Sequence, residues 1–273
     1  MRAQDDAWEL LRSRFEDAVE KCRRGRVAAL SFLTPRERKR LESELRGRGM
    51  TDTAWFFGGY ETAERTCLFL LPDYLAAMLD APPAECDPDV LAALLDEALS
   101  ERVTAVRVKG SGYRALTHRD YLGSILGLGL ERDAIGDIAV QNDFEAILFC
   151  SARIADFLCE QLDKVAADAV RCARCVIDEH FTDGRAYRPI SDTVASPRLD
   201  CVVAALTNLS RENAKNLVQV GLVEVEYEPE TRTDLTLVPP LTISIRGYGR
   251  FLLRAFDGET KKGRLRLRAD QMI

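Results

Sequence analysis

Basic side chains that could bind phosphate groups are spaced along two predicted helices near the carboxy terminus. Ser210 precedes an apolar helical stripe, so we expect it to cap a helix that presents Arg211 and, one turn later, Lys215. Arg198 lies at the start of the preceding helix. Amides at a helix start attract anions, and a guanidinium group can bind phosphate through two hydrogen bonds. The spacing therefore predicts a phosphate-binding surface.

A second basic stretch runs from Arg246 to Arg268. It holds eight Lys and Arg against two Asp and Glu, although the whole chain has a net charge of -6. Tyr248 and Phe251 lie among these charges and could stack on bases. We therefore predict RNA contacts mainly between about Arg198 and Arg268. The predicted RNA-binding residues are Arg198, Ser210, Arg211, Lys215, Arg246, Arg250, Lys261, Lys262 and Arg264.

Two cysteines, Cys172 and Cys175, have the spacing of half a zinc site, and His180 follows them. The sequence has no second pair at a suitable spacing, so a metal would need a distant ligand such as Cys201. A thioredoxin-like redox pair would open a helix after a strand, and this pair does not. We predict structural cysteines, no metal site and no cofactor.

The sequence contains few motifs that would indicate an enzyme instead of an RNA-binding protein. The chain has no nucleophile elbow and no phosphate-binding loop. Arg198-Leu199-Asp200 copies the triplet that carries the catalytic aspartate of pseudouridine synthases, but here it opens the binding module itself. We expect Asp200 to pair with a neighbouring arginine, and His118 to be structural or a polar neighbour of RNA. We predict a protein that is not an enzyme, with a pseudouridine synthase-like enzyme as the less favoured reading.

The composition is that of a globular protein, with 47% apolar and 30% charged residues. Eight cysteines are scattered through apolar stretches, and we recognise no leader-like segment, which favours a reduced, cytoplasmic protein. The most apolar run, from Cys67 to Leu79, is broken by Pro72 and Asp73 and is too short to cross a bilayer. We therefore expect no membrane partner.

The periodicity of apolar residues and the positions of proline and glycine predict an α+β fold in three units. These are a small mixed amino-terminal domain over residues 1–82, a middle α/β domain over 83–183, and a helix pair with a sheet over 184–273. Prolines around residues 81–88 and the polar segment Gly184 to Ser196 are interpreted as linkers. Predicted helices span about 1–24, 34–47, 89–99, 118–126, 152–162, 196–208 and 210–220. Predicted strands span about 55–57, 66–71, 104–109, 138–140, 145–149, 171–177, 223–226, 242–246 and 250–255.

The last unit has two predicted short helices before a small sheet, with Arg198-Leu199-Asp200, Ser210-Arg211, Ala214, Gly221 and Val223 at characteristic places. In these features it resembles the RNA-binding domain first recognised in ribosomal small-subunit protein four. It implies that Arg211 contacts ribosomal RNA or tRNA.

A wider set of motifs follows in order along nearly the whole chain. They are Gly58-Gly59-Tyr60-Glu61, Ala63-Glu64-Arg65, Leu71-Pro72-Asp73-Tyr74, His118-Arg119-Asp120-Tyr121-Leu122-Gly123, Gly136-Asp137-Ile138, Arg246-Gly247-Tyr248-Gly249-Arg250 and Thr260-Lys261-Lys262-Gly263-Arg264. In this combination the chain resembles the YlmH-type bacterial proteins encoded near cell-division genes. Pro239-Pro240-Leu241 departs from the family pattern, which has a Gly-Asp turn there, so the hairpin contact with RNA is expected to differ.

This resemblance implies a role in ribosome-associated quality control. The implied partners are ribosomal RNA and tRNA on the separated large ribosomal subunit, where an obstructed peptidyl-tRNA receives template-free alanine tails. Quality-control or division proteins are further expected partners, and we expect a monomer. The alternative is an RNA- or protein-binding factor linked to cell division, whose acidic first 182 residues hold a protein partner.

Overall fold

The computed structural model describes residues 2–178 and 180–273, in two compact units that divide between Gly184 and Arg185. Met1, part of the first predicted helix, lies outside the described residues. The helices are α1 (Arg2–Arg23), α2 (Pro35–Gly47), α3 (Asp73–Ala76), α4 (Pro88–Leu94), α5 (Asp96–Arg102), α6 (His118–Gly127), α7 (Ala152–Gln161), α8 (Leu199–Thr207) and α9 (Arg211–Gln219). The strands are β1 (Ala28–Leu33), β2 (Ala54–Phe57), β3 (Thr66–Leu70), β4 (Thr104–Gly110), β5 (Ile135–Asn142), β6 (Glu145–Cys150), β7 (Lys164–Val165), β8 (Asp168–Cys175), β9 (Tyr187–Val194), β10 (Val223–Val225), β11 (Glu228–Pro229), β12 (Leu241–Ile245), β13 (Gly249–Glu259) and β14 (Leu265–Met272).

The first unit begins with an antiparallel sheet in the order β1-β3-β2. α2 starts at a capping box, in which the Thr34 hydroxyl accepts from the Glu37 amide at 3.3 Å and the Glu37 carboxylate accepts from the Thr34 amide at 2.7 Å. Phe15 of α1 and Leu41 of α2 are fully buried in the core with β3. β1 was not predicted, because five of its six residues are apolar and its sequence lacks the alternation of apolar and polar residues that indicates a half-exposed strand.

A second antiparallel sheet in this unit has the order β5-β6-β4-β8-β7. The run β4-α6-β5-β6-α7-β8 has the order of a split βαβ motif. α6 and α7 cover one face of the sheet, where Tyr121 and Leu158 pack against Val106 and Leu148. The helix predicted at 89–99 is two short helices, α4 and α5, which meet at Leu95.

The other face of the second sheet shares a core with the first sheet. Ile147 and Phe149 are buried in one cluster with Trp55 and Phe69. Pro83, interpreted as part of a linker, is buried in a single 3-10 turn. The predicted boundary at 82/83 thus lies inside the first compact unit, and the division of this unit into two domains stays a prediction.

The second unit is a six-stranded antiparallel sheet in the order β11-β10-β12-β13-β14-β9. α8 and α9 pack on one face, where Val203 and Val218 join Phe251 and Leu267 in the core. The combination of helices with antiparallel sheets confirms the predicted α+β class.

The linker interpretation of Gly184 to Ser196 is wrong, because most of this segment is β9. β9 pairs with β14 along its whole length, from Tyr187 opposite Met272 to Val194 opposite Leu265. It lies at the edge of the sheet, where a proline is tolerated and one face stays in water. The strand therefore has a polar composition, which explains the error.

Candidate RNA-binding surfaces

Two predicted arginines meet on one buried carboxylate at the start of α8. The Asp200 side chain is 2% exposed. It accepts hydrogen bonds from Arg198 Nε at 3.1 Å and from Arg211 Nε at 3.0 Å. The arginine side chains themselves remain 37% and 58% exposed. Asp200 therefore fixes the orientation of two guanidinium groups at the surface, as predicted for a carboxylate that pairs with arginine.

The ionisation of Asp200 follows from these contacts. Burial by itself raises the pKa of this carboxyl, but the hydrogen bonds from Arg198 and Arg211 outweigh it, so the pKa lies below its usual value. The same hydrogen bond raises the pKa of Arg198. The Asp200 carboxylate and the Arg198 guanidinium are thus both charged at neutral pH.

The two helix starts differ in the amides they leave for an anion. At α8, the Leu199 and Asp200 amides already donate to carbonyls of the segment 233–235, at 2.9 and 3.0 Å. At α9, Ser210 Oγ accepts from the Asn213 amide at 3.2 Å, whereas the first two amides, of Arg211 and of the next residue, donate no hydrogen bond in the described chain. The expectation of free amides therefore fits α9 and is wrong for α8.

The remaining predicted residues form two further groups. Arg246 and Arg250 lie at the β12–β13 hairpin, where the Arg250 guanidinium stacks over the Tyr227 ring at 5.6 Å. The other group occupies the turn between β13 and β14. β13 has 11 residues, which span about 30 Å at the usual rise of a strand, so the two groups lie at opposite ends of the sheet. The members of the turn group are Lys261, Lys262 and Arg264.

The turn group contacts the end of β9. Arg264 Nε donates to Thr193 Oγ1 at 3.0 Å, and Thr193 precedes Arg198 by five residues. The hairpin group contacts the segment that follows α9, because the Arg246 amide donates to the Leu222 carbonyl at 2.9 Å. Arg198 and Arg211 are the predicted residues that meet through a shared partner, Asp200.

Three basic residues on the same unit were not predicted. Arg254, Arg266 and Arg268 lie on the sheet face opposite α8 and α9, and Arg254 and Arg268 form ion pairs of 2.7 and 2.9 Å with Asp270 and Asp257. The alternation of leucine and arginine along β14 was the signal that could have identified this face.

The cysteine pair has no chelating geometry. Cys172 and Cys175 are three residues apart on β8, so they point to opposite faces, and they belong to different core clusters. Burial raises the pKa of Cys172 to about 12 and also raises the pKa of Cys175. Within residues 2–178 and 180–273, no group of three His, Cys, Asp or Glu side chains could hold a metal ion. No helix in the same ranges is long and apolar enough to cross a membrane.

Comparison with known proteins places the chain among bacterial relatives. A family model described as "Putative RNA-binding domain in YlmH" matches residues 103–179. The chain is 31% identical over 242 residues to Ribosome-associated protein quality control protein P2 of Bacillus subtilis, covering 89% of this chain and 86% of that protein.

A solved structure, Cell division protein ylmH from Streptococcus pneumoniae, is 18% identical. The alignment covers 63% of this chain and 91% of that chain with a TM-score of 0.47, a likeness too distant to support a functional argument. The identity and coverage of the Bacillus relative, together with the family model, are sufficient for an assignment. The chain belongs to the family of YlmH-type proteins.

Proposed function

We propose that this chain is a non-catalytic, cytoplasmic RNA-binding protein that associates with the large ribosomal subunit and peptidyl-tRNA. In this role it assists ribosome-associated quality control, including alanine tailing of stalled chains. The observation that carries the proposal is the arginine pair held by Asp200 beside the open amides of α9. The name of the Bacillus relative and the description of the family model support it.

The N–H donors of Arg211 that do not bind Asp200 can bind a phosphate group. A guanidinium group has five N–H donors, and Arg211 uses only those on Nε and Nη2 toward Asp200. The remaining donors, the α9 amides and the Lys215 ammonium one turn later all favour an anion near the start of α9. Because Asp200 already orders the arginines, less conformational entropy is lost when RNA binds.

The burial of Asp200 disfavours the pseudouridine synthase reading. A catalytic carboxylate must reach the substrate base, whereas Asp200 is 2% exposed and engaged by two arginines. Its geometry is that of a positioning residue.

Sedimentation of the full-length protein through sucrose gradients of cell lysate tests the proposal. The wild type, Arg211→Ala and a control, Arg12→Ala, are compared at low and high salt. Arg12 is exposed on α1, so the control removes one surface charge outside the second unit. We expect salt-sensitive migration with large ribosomal subunits in the wild type and the control, and its loss in Arg211→Ala.

A wild type that stays at the top of the gradient at both salt concentrations would contradict the ribosomal role. Affinity capture after nuclease treatment then tests the division-linked alternative. Division proteins that remain bound without RNA would favour it.

A further inference from the structure

The split βαβ sheet of the first unit does not offer RNA an aromatic ring on the face opposite α6 and α7. RNA-recognition domains with such a sheet stack bases on aromatic residues of the open sheet face. In this chain Ala105, Ile147 and Phe149 of that face are buried in a core shared with the first sheet, whereas Lys109 and Arg171 at one end of it are exposed. Base stacking by this part of the chain therefore needs an aromatic residue outside the sheet.

Residues 111–117 connect β4 to α6 at one end of the strands of this sheet. Hydrogen bonds fix both the first and the last part of this connection. Asp168 accepts from the Ser111 amide at 3.1 Å and also from the Ser111 hydroxyl. The buried Leu116 donates its amide to the carbonyl of Asp143 at 2.7 Å. We call these residues the tyrosine loop, because Tyr113 projects from it with 86% of its surface exposed.

The conformation of the tyrosine loop is defined by short-range contacts. Gly112 has a φ of +89°, which a residue with a side chain rarely adopts, and the Tyr113 amide donates to Ser111 Oγ at 3.3 Å. The ring of Tyr113 is thus presented to solvent on an anchored backbone. Such a ring can stack on a base without first ordering its loop.

Basic side chains lie at the same end of the strands. Lys109 at the end of β4 is directly opposite Arg171 on β8, and both side chains are exposed and form no hydrogen bond or ion pair in the described chain. Arg114, within the loop, lies 3.6 Å from Asp120. The other acidic side chains at this end are Asp143 and Glu145. Glu145 is the neighbour of Lys109 on β6 and lies 3.5 Å from Arg107.

We propose that the tyrosine loop binds an unpaired RNA nucleotide, with the base stacked on Tyr113 and the adjacent phosphates bound by Lys109 and Arg171. The inference rests on the proposed RNA-binding function and adds a contact in the first unit. An exposed aromatic ring in the loop that follows Lys109, together with two exposed cations on neighbouring strands, fits the π-face and the charge of single-stranded RNA. The matched segment 103–179 includes all three residues.

The test measures fluorescence anisotropy of a labelled single-stranded RNA of about 12 nucleotides, within the site sizes typical of such proteins. Full-length wild type is compared with Tyr113→Ala, Tyr113→Phe and the double variant Lys109→Ala/Arg171→Ala. Tyr74→Ala is the control, because Tyr74 is 59% exposed in a segment rich in acidic residues. Arg211→Ala is measured in parallel.

We expect Tyr113→Ala to raise the Kd about tenfold, as loss of one base–aromatic stack predicts. Tyr113→Phe keeps the ring and should bind like the wild type, as should Tyr74→Ala. The double variant should weaken binding and reduce the slope of log K against log salt by about 1.4, because two phosphate contacts are lost.

The experiment distinguishes failure of the tyrosine-loop proposal from failure of the proposed RNA-binding function. If wild type binds the RNA and Tyr113→Ala binds equally well, the tyrosine loop is not an RNA site, even if Arg211→Ala weakens binding and supports the proposed function. If wild type binds no RNA, the proposed function and this inference both fail. A protein cross-linked to Tyr113 in lysate, with unchanged RNA affinity, would instead identify the loop as a protein contact.

Discussion

Arg211 donates from Nε to the buried Asp200 carboxylate at 3.0 Å, which ties the first residue of α9 to the first turn of α8. Arg198 donates to both oxygens of the same carboxylate, from Nε at 3.1 Å and from Nη2 at 3.4 Å. A single buried acid therefore determines the position of two basic groups on two helices. Substitution of an arginine is expected to change RNA affinity, whereas substitution of Asp200 is expected to change stability.

Arg211→Ala should weaken RNA affinity by about 1–3 kcal/mol, and Arg211→Lys should restore only part of it. Lysine keeps the charge but lacks the planar fork that can bind Asp200 and a phosphate together. Anisotropy titrations across a range of salt concentrations check this, and the salt slope should fall for alanine and stay unchanged for lysine. Full recovery by lysine would mean that charge alone matters at this position.

Asp200→Asn should lower the stability of the second unit at pH 7 by about 1–3 kcal/mol, through loss of charged hydrogen bonds. The native pKa of Asp200 lies below the ordinary value of 3.8, so its stabilising effect is complete above that value and is lost as the pH falls through the native pKa. Calorimetry of both proteins should therefore show a gap in Tm at pH 7 that narrows below about pH 3.8. An equal gap at pH 7 and pH 3 would contradict the ionised state of Asp200.

Arg246 and Lys262 should contribute to RNA affinity independently. They lie at opposite ends of β13, about 30 Å apart, and residues at such distances usually have additive effects to within about 0.5 kcal/mol. A double-mutant cycle with Arg246→Ala and Lys262→Ala measures the coupling on one RNA. A coupling above about 1 kcal/mol would show that both residues contact the same RNA element.

Val194→Ala should destabilise the second unit by about 1–2 kcal/mol, because Val194 is 2% exposed in the core beneath β9. Ser191→Ala, on the exposed side of the same strand, should change stability by less than about 0.5 kcal/mol. Amide hydrogen exchange of β14 reports both changes, since β14 loses protection when β9 detaches. A flexible linker at residues 184–196 would leave β14 unaffected in both variants.

Patterns among neighbouring residues were sufficient to predict most of the helices and part of the candidate RNA-binding site. The Ser210 cap was readable because its partner, the Asn213 amide, lies three residues away. β1 and β9 were missed for opposite reasons, since β1 is apolar at five of six positions and β9 is a mostly polar strand at an edge. Neither sequence alternates apolar and polar residues.

The sequence by itself determined the α+β class, the basic character of the last unit and the membership of the YlmH-type family. These follow from side-chain periodicity, composition and ordered motifs, which are properties of neighbouring residues. Only the tertiary structure decided that Arg198 and Arg211 share Asp200, that the hairpin and turn groups lie apart, and that the second sheet of the first unit has no open aromatic face. Each of these depends on strand register and on which surfaces pack together, so it is set by contacts between residues distant in the chain.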